Sequence, residues 1–377
     1  MREPAGFGLY VHWPFCQAKC PYCDFNSHVA SKIDQNAWVS AYLKELDRLG
    51  AETEGRVLNS VFFGGGTPSL MAPGTAEALL SSLGKRWRLA NDLEVTLEAN
   101  PTSVEAGKFR DFRTAGVNRV SVGLQALNDS DLKALGRLHT ADEGRRAFEV
   151  ARDTFDRVSF DLIYARQDQS LADWEVELSD ALTLAADHLS LYQLTIEPGT
   201  VFADRFARGG LKGLPDEDVS ADMFELTRQL TAAAGFPAYE TSNHAKPGAE
   251  SRHNLIYWKS GDWAAIGPGA HGRLTIGGTR WATETPKAPG AWLSAVAKGE
   301  GQEARSMLSS KEREEERIMM GLRLIDGLHI DGDRYREKVH EINRLSEHRL
   351  LELDSESLRL TEHGRPLLNA ILRELLA

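Results

Sequence analysis

Cys16-Gln-Ala-Lys-Cys20-Pro-Tyr-Cys23 is the stretch on which the reading of this chain turns. It holds all 3 cysteines of a 377-residue sequence, in a C-x3-C-x2-C spacing. Three cysteines scattered at random would share so short a window roughly once in a thousand chains, so the grouping points to a common task. Zinc usually takes four N or S ligands supplied as separated pairs, whereas three thiolates from one loop suit the corners of a cuboidal iron–sulfur cluster. Such a set leaves one iron open, because the chain has no fourth cysteine to close it. An open iron marks a ligand-binding or catalytic centre. Zinc completed by His12 or His28, and three buried free thiols, are the competing readings of the spacing.

Outward from this loop, the first half of the chain alternates short apolar runs with longer amphipathic stretches, the pattern of βα units around a parallel sheet. Strands are expected near Gly8 to His12, Ser60 to Phe63, Leu93 to Glu98, Arg119 to Leu124, Arg157 to Ile163 and His188 to Thr195. Apolar residues spaced by three and four predict crossover helices over Ala37 to Leu49, Thr75 to Trp87, Val104 to Thr114, Asp142 to Thr154 and Leu171 to Ala185. Six units are too few to close an eight-stranded barrel, so the expected fold is α/β, an open partial (β/α)6 TIM-like barrel. A helix over Asp216 to Ala234 leads into a segment dense in histidine and aromatics: His244, His253-Asn-Leu-Ile-Tyr257-Trp258, Trp263 and Gly267-Pro-Gly-Ala-His271. From Ser306 the pattern changes to a charged helix (Lys311 to Ile325), a helical pair (Ile330 to Leu350), a hairpin (Leu351 to Leu360) and a last helix, the order of a winged helix. The expected domains are 1–215, a barrel extension 216–305 and a C-terminal winged-helix-like unit 306–377.

Polar and glycine residues collect where the expected strands end: Gly64-Gly65-Gly66-Thr67-Pro68, Glu98-Ala-Asn100-Pro101, Gly123-Leu-Gln125 and Asp161. In parallel barrels that end carries the active site, so Glu98, Gln125 and Asp161 are expected to line one pocket with the cysteine loop. A carboxylate at a strand end is about as often a helix cap as a ligand contact, but a shared location favours the pocket.

Composition narrows the classes further. With 44 Lys+Arg against 55 Asp+Glu the net charge is −11, which disfavours a phosphate-neutralising surface and hence nucleic acid. From Lys311 onward 12 Lys+Arg face 15 Asp+Glu, so the winged-helix-like unit is read as a packing or partner module. No apolar run approaches the roughly 18 to 20 residues that cross a bilayer, and the first residues lack a signal-peptide pattern. A cytoplasmic location is expected.

The cysteine loop followed by Gly-Gly-Gly-Thr-Pro resembles the radical S-adenosylmethionine (radical SAM) superfamily. Tyr10-Val-His12-Trp-Pro14-Phe15-Cys16, Gly123-Leu-Gln125, Gly136-Arg137 and Asp161-Leu-Ile resemble its branch containing oxygen-independent coproporphyrinogen III oxidase and the heme chaperones. The resemblance implies a partial barrel of the radical SAM type and a 4Fe-4S cluster on Cys16, Cys20 and Cys23. It implies S-adenosylmethionine held by Tyr10, Tyr22, Gly65, Gly66, Thr67, Glu98, Gln125, Arg137 and Asp161, and its reductive cleavage to a 5′-deoxyadenosyl radical. The oxidase motif has a further cysteine where this chain has Phe25, and with Tyr10 already in the first expected strand no counterpart of the oxidase's N-terminal arm is expected. Both point to the chaperones, whose H-N-x-x-Y-W heme motif matches His253, Asn254, Tyr257 and Trp258, with His244 and His271 as rival iron ligands. The implied partners are heme, a heme-acceptor protein, an electron donor such as a flavodoxin or ferredoxin, and peripheral membrane-protein contacts. The alternative is an oxidative decarboxylase of coproporphyrinogen III or another tetrapyrrole-modifying enzyme. One departure stands out: Ala165-Arg-Gln167-Asp168-Gln169 replaces the family's Gly/Pro-rich loop after Tyr164.

Overall fold

The structure, a computed structural model, describes residues 5–102, 106–330, 338–354 and 356–377. Strand β1 (Phe7–Trp13) shows how the sheet is built. Its Phe7, Leu9, Val11 and Trp13 are buried in the main core, while Gly8, Tyr10 and His12 take the opposite face, the period-two alternation of a strand covered on both sides. The expected strands follow as β2 (Val57–Gly65), β3 (Arg88–Ala99), β4 (Arg119–Gln125), β5 (Arg157–Tyr164) and β6 (His188–Gln193), each parallel to its predecessor.

The helices that cover the sheet start where side chains can cap them. In α1 (Gln35–Glu52) Asp34 accepts from the Ala37 amide, and α2 (Ala141–Thr154) and α3 (Leu171–Leu184) open on reciprocal capping boxes, Thr140 with Glu143 and Ser170 with Asp173. The buried stripe of α1 includes Trp38, Tyr42, Leu46 and Leu49, spaced by three and four. Trp38 stacks on Trp292 at 5.4 Å and meets Trp13 edge-on at 5.7 Å, which ties the helix layer to β1. The helix expected from Thr75 runs Pro73–Leu83. That expected from Val104 falls partly outside the described residues and is seen as Phe109–Ala115.

Sequence periodicity missed one side of the sheet. β7 (Asn243–Ala245) adds antiparallel to β6, and β8 (Asp262–Ile266) adds parallel to β1 on its other flank. β9 (His271–Ile276), β10 (Thr279–Glu284) and β11 (Ser306–Met307) continue from β8 as an antiparallel meander. The described sheet has 11 strands in the order β11-β10-β9-β8-β1-β2-β3-β4-β5-β6-β7, and its two end strands do not pair with each other, so it stays open as expected. Strands from both sides of residue 215 share it. Short strands such as Asp262–Ile266, buried beside a glycine-rich turn, lack the length that makes a strand legible.

The C-terminal residues have their own core of Ile318, Leu322, Ile342, Leu345, Leu358, Leu360, Ile371 and Leu375 among others. The expected hairpin forms as β13 (Leu351–Leu353) against β14 (Ser357–Leu360), with β12 (Leu328–His329) on its other edge. Of the helical pair expected over Ile330 to Leu350, residues 331–337 lie outside the described residues and Val339–Glu347 is helical.

Candidate functional site

Directly after β1, Phe15–Cys16 pairs with His28–Val29 and closes the loop that carries the three cysteines. Their thiols are free and partly exposed, and the Cys23 amide donates to the Cys20 carbonyl at 3.1 Å. Burial holds the Cys16 and Cys23 thiols above the ordinary thiol range. The Gly64–Thr67 turn lies flush against this loop: Gly66 N donates to Trp13 O at 2.7 Å and Thr67 N to Phe15 O at 2.8 Å. A Cβ on Gly66 would stand 2.7 Å from Phe15 O, and one on Gly65 2.5 Å from the His12 ring at a φ of +110°. Both positions therefore require glycine.

Side chains from the next strand ends reach back to the thiols. Thr67 Oγ1 donates to Cys16 Sγ at 3.4 Å and Arg137 Nη1 to Cys20 Sγ at 3.4 Å. Asn100 joins the two: its Nδ2 donates to Thr67 Oγ1 at 3.1 Å, and its Oδ1 accepts from Arg137 Nη2 at 2.6 Å. Asn100 is the residue that sequence reasoning left out of the site, although Glu98-Ala-Asn100-Pro101 at a strand end carried the signal. Arg137 also donates to Gly123 O at 3.0 Å and contacts Tyr22, while its buried Nε has no hydrogen-bond partner among the described residues. Gln125 sits at a register shift of β4 against β5 with φ 72°, a conformation that costs a non-glycine residue about 1–3 kcal/mol and re-aims its side chain.

The two carboxylates are electrostatically poised. Glu98 Oε2 accepts from Gly65 N at 3.2 Å, yet enclosure by protein, reinforced by the charge of Asp161, pushes it up to about 8. Enclosure raises Asp161 to about 6, against hydrogen bonds from Ser190 and Ser121, the latter at 3.1 Å. Tyr10 lies in the same field, with its OH 3.0 Å from His12 Nδ1; His12 Nε2 is 2.9 Å from Asn26 O. The Ala165–Gln169 segment keeps a tight turn without the family's glycines. Ala165 and Asp168 adopt φ of 57° and 58°, and the buried Arg166 pins the turn by pairing with Glu177 and, at 2.6 Å, Asp131.

The H-N-x-x-Y-W residues form a short helix, α4 (Arg252–Trp258), so His253 and Tyr257 share a face. His253 is 1% exposed, with Nδ1 2.8 Å from Ser60 Oγ and Nε2 2.7 Å from Tyr257 OH. Its ring stacks on Phe62 at 5.0 Å, and burial pushes its pKa down to about 3. Both ring nitrogens are thus engaged. It packs at the level of Gly8, four residues and about 13 Å along β1 before His12. Asn254, Tyr257 and Trp258 are half-buried, Tyr257 lies 4.5 Å from Trp263, and Arg323 stands over the Trp258 ring at 5.6 Å. His244 is buried against Thr231 Oγ1 at 2.9 Å, whereas His271 is exposed.

Residues 10–180 match the Radical SAM superfamily and residues 308–367 the HemN C-terminal domain. Over 379 residues the chain is 38% identical to the heme chaperone HemW of Escherichia coli (strain K12), covering 98% of each. The chain belongs to the HemW family of radical SAM proteins. It is also 36% identical to the heme chaperone HemW of Haemophilus influenzae, over 97% of this chain and 96% of that one. Against the bovine mitochondrial radical S-adenosyl methionine domain-containing protein 1 it is 38% identical over 98% of this chain and 87% of that one. The solved coproporphyrinogen III oxidase HemN of E. coli superposes with a TM-score of 0.82 over 98% of this chain and 90% of that one, at 21% identity, and so shares the fold. The family implies a 4Fe-4S cluster and S-adenosylmethionine. The donor set fits both: three thiols on one loop, hydrogen-bond donors to two of the sulfurs, and the carboxylates of Glu98 and Asp161 at neighbouring strand ends.

Proposed function

We propose that the protein is a heme chaperone that binds heme and passes it to an acceptor protein. The observation that carries this reading is the end-to-end likeness to heme chaperones from two bacteria. In it, Cys16, Cys20 and Cys23 hold the cluster; Gly65, Gly66, Thr67 and Glu98 receive the amino acid end of S-adenosylmethionine; and Tyr10, Tyr22, Gln125, Arg137 and Asp161 receive the remainder. When bound, these groups supply one-electron reductive chemistry that the protein itself lacks. Heme lies against Asn254, Tyr257 and Trp258, with His253 supporting them. Phe25, 56% exposed where the oxidase motif has a cysteine, favours the chaperone over the oxidase. An electron donor such as a flavodoxin or ferredoxin, peripheral contact with membrane proteins and a cytoplasmic location complete the reading. Among the described residues no helix is long and apolar enough to cross a membrane. The proposed organisation is a barrel over 1–215, its extension over 216–305 and the C-terminal unit over 306–377.

The test is hemin titration followed by transfer to apomyoglobin as the acceptor probe. Saturable binding and transfer are expected. No binding, or conversion of coproporphyrinogen III to protoporphyrinogen under reducing conditions, overturns the reading in favour of the oxidase or neither.

Glu98 makes a pH prediction. With a folded pKa of about 8 against 4.5 when free, the folded state holds a proton that the unfolded chain releases between those values. Its contribution to stability is therefore present below pH 4.5 and lost as pH rises through 8. Glu98→Gln removes that loss, so the ligand-free variant is expected to exceed the parent by on the order of 4–5 kcal/mol at pH 8.5 and to match it at pH 4.5. Urea melts at both values check this; equal differences at the two would show an unperturbed carboxyl. The same substitution is expected to weaken S-adenosylmethionine binding, because it removes the carboxyl group that would ionise beside the bound ammonium.

A further inference from the structure

We propose that His271 is the side chain that ligates heme iron, with Glu284 facing its Nδ1 and Nε2 left for the axial position. The inference rests on the heme-chaperone reading and names the iron ligand within it. An imidazole can bind iron only through a nitrogen whose lone pair is free, and a porphyrin plane some ten atoms wide admits only a ring that stands clear of the surface.

The histidines around the site differ sharply on that criterion. His12 is spanned by Tyr10 OH and Asn26 O, and His28 Nε2 lies 3.3 Å from Asn26 Oδ1. His244 and His253 are each 1% exposed, the first against Thr231 and the second with both nitrogens engaged. The His271 side chain is 52% exposed, and the group facing its Nδ1 is Glu284 Oε1 at 3.6 Å. That pairing is a register feature, since His271 and Glu284 are direct cross-strand partners of β9 and β10. A carboxylate facing Nδ1 favours the tautomer protonated there, which puts the lone pair on Nε2, and metal-binding histidines are normally paired in this way. Ligation is then donation of that lone pair to iron, with no proton lost and no change of oxidation state.

The position also lies beside the cysteine loop and the aromatic residues of the H-N-x-x-Y-W helix. His271 follows Gly267-Pro-Gly-Ala270, and this turn presses on the loop so closely that a Cβ on Gly267 would stand 2.3 Å from His12 O and one on Gly269 2.5 Å from Asn26 Nδ2. Next to it Trp263, Ala265 and Ala270 form an apolar cluster against which Tyr10 and Tyr257 pack, and Trp263 Nε1 donates to His271 O at 2.8 Å. Tyr257 thus links the H-N-x-x-Y-W helix to the His271 rim, and His253 sets the Tyr257 hydroxyl rather than meeting iron.

The experiment is hemin titration of the full chain, read by Soret absorbance and by electron paramagnetic resonance of the ferric heme. His271→Ala is expected to weaken binding by about 100-fold and to lose the axial-imidazole signature, which added imidazole restores; Glu284→Gln loses about tenfold in affinity. His253→Gln, chosen because an amide can keep a hydrogen bond, is expected to retain the signature on whatever heme it binds. An unchanged spectrum and affinity in His271→Ala overturns the proposal while leaving the chaperone reading standing. Loss of the signature in His253→Gln alone, with circular dichroism unchanged, also overturns it. A parent protein that binds no hemin brings down both.

Discussion

Anaerobically reconstituted Cys20→Ala protein is expected to hold less than about one iron per chain, against about four in the parent, and to lose S-adenosylmethionine binding with it. No other thiol can substitute, because the sequence has 3 cysteines and all stand in this loop. The loss is a loss of ligand and not of fold. Cys20 is only partly buried, the loop stays closed by the Phe15–Cys16 and His28–Val29 pairing, and Arg137 keeps Asn100 and Gly123 O when its sulfur contact goes. The thermal midpoint of the metal-free variant is therefore expected within a few degrees of the metal-free parent, a change of under about 1 kcal/mol. Iron and sulfide analysis beside that melt separates the outcomes. Four irons retained would show that the three thiols are not the ligand set.

His253→Ala produces the opposite pattern, a loss of fold stability with the cluster spared. The ring fills a buried site between Phe62, Tyr10 and Gly8, and removing it strands Ser60 Oγ and the Tyr257 hydroxyl. Each unpartnered buried hydroxyl costs about 1–3 kcal/mol and the cavity adds to this, so a total of about 3–5 kcal/mol is expected in urea unfolding of metal-free protein. His253 is neutral at any working pH, since its pKa lies near 3, so the penalty is the same at pH 6 and pH 8. A change under 1 kcal/mol would mean that the ring is not packed between those partners.

Much of the site was legible because its chemistry is local. Three thiols within eight residues, glycines against a backbone carbonyl at Gly66, and a carboxylate at the end of β3 each reveal themselves without knowing what lies opposite. The six parallel strands were legible for a related reason, their apolar runs being long and followed by amphipathic helices. Asn100 and His271 were harder. An asparagine and a histidine have many uses, and only the strand ends that place Thr67 and Arg137 on either side of Asn100 give it a role.

The sequence by itself determined the kind of centre the protein can build, because cysteine number and spacing limit cluster chemistry before any folding is considered. It also determined the six parallel strands β1 to β6, while the antiparallel strands that flank them came only from the fold. Tertiary structure decided which histidine is available. On paper the H-N-x-x-Y-W motif favours His253 and leaves His271 a rival, but burial between β1, β2 and α4 engages both nitrogens of the first, while the β9–β10 register places the second at the rim opposite Glu284. Availability of a lone pair depends on what surrounds the ring, and those neighbours come from strands far apart in the chain.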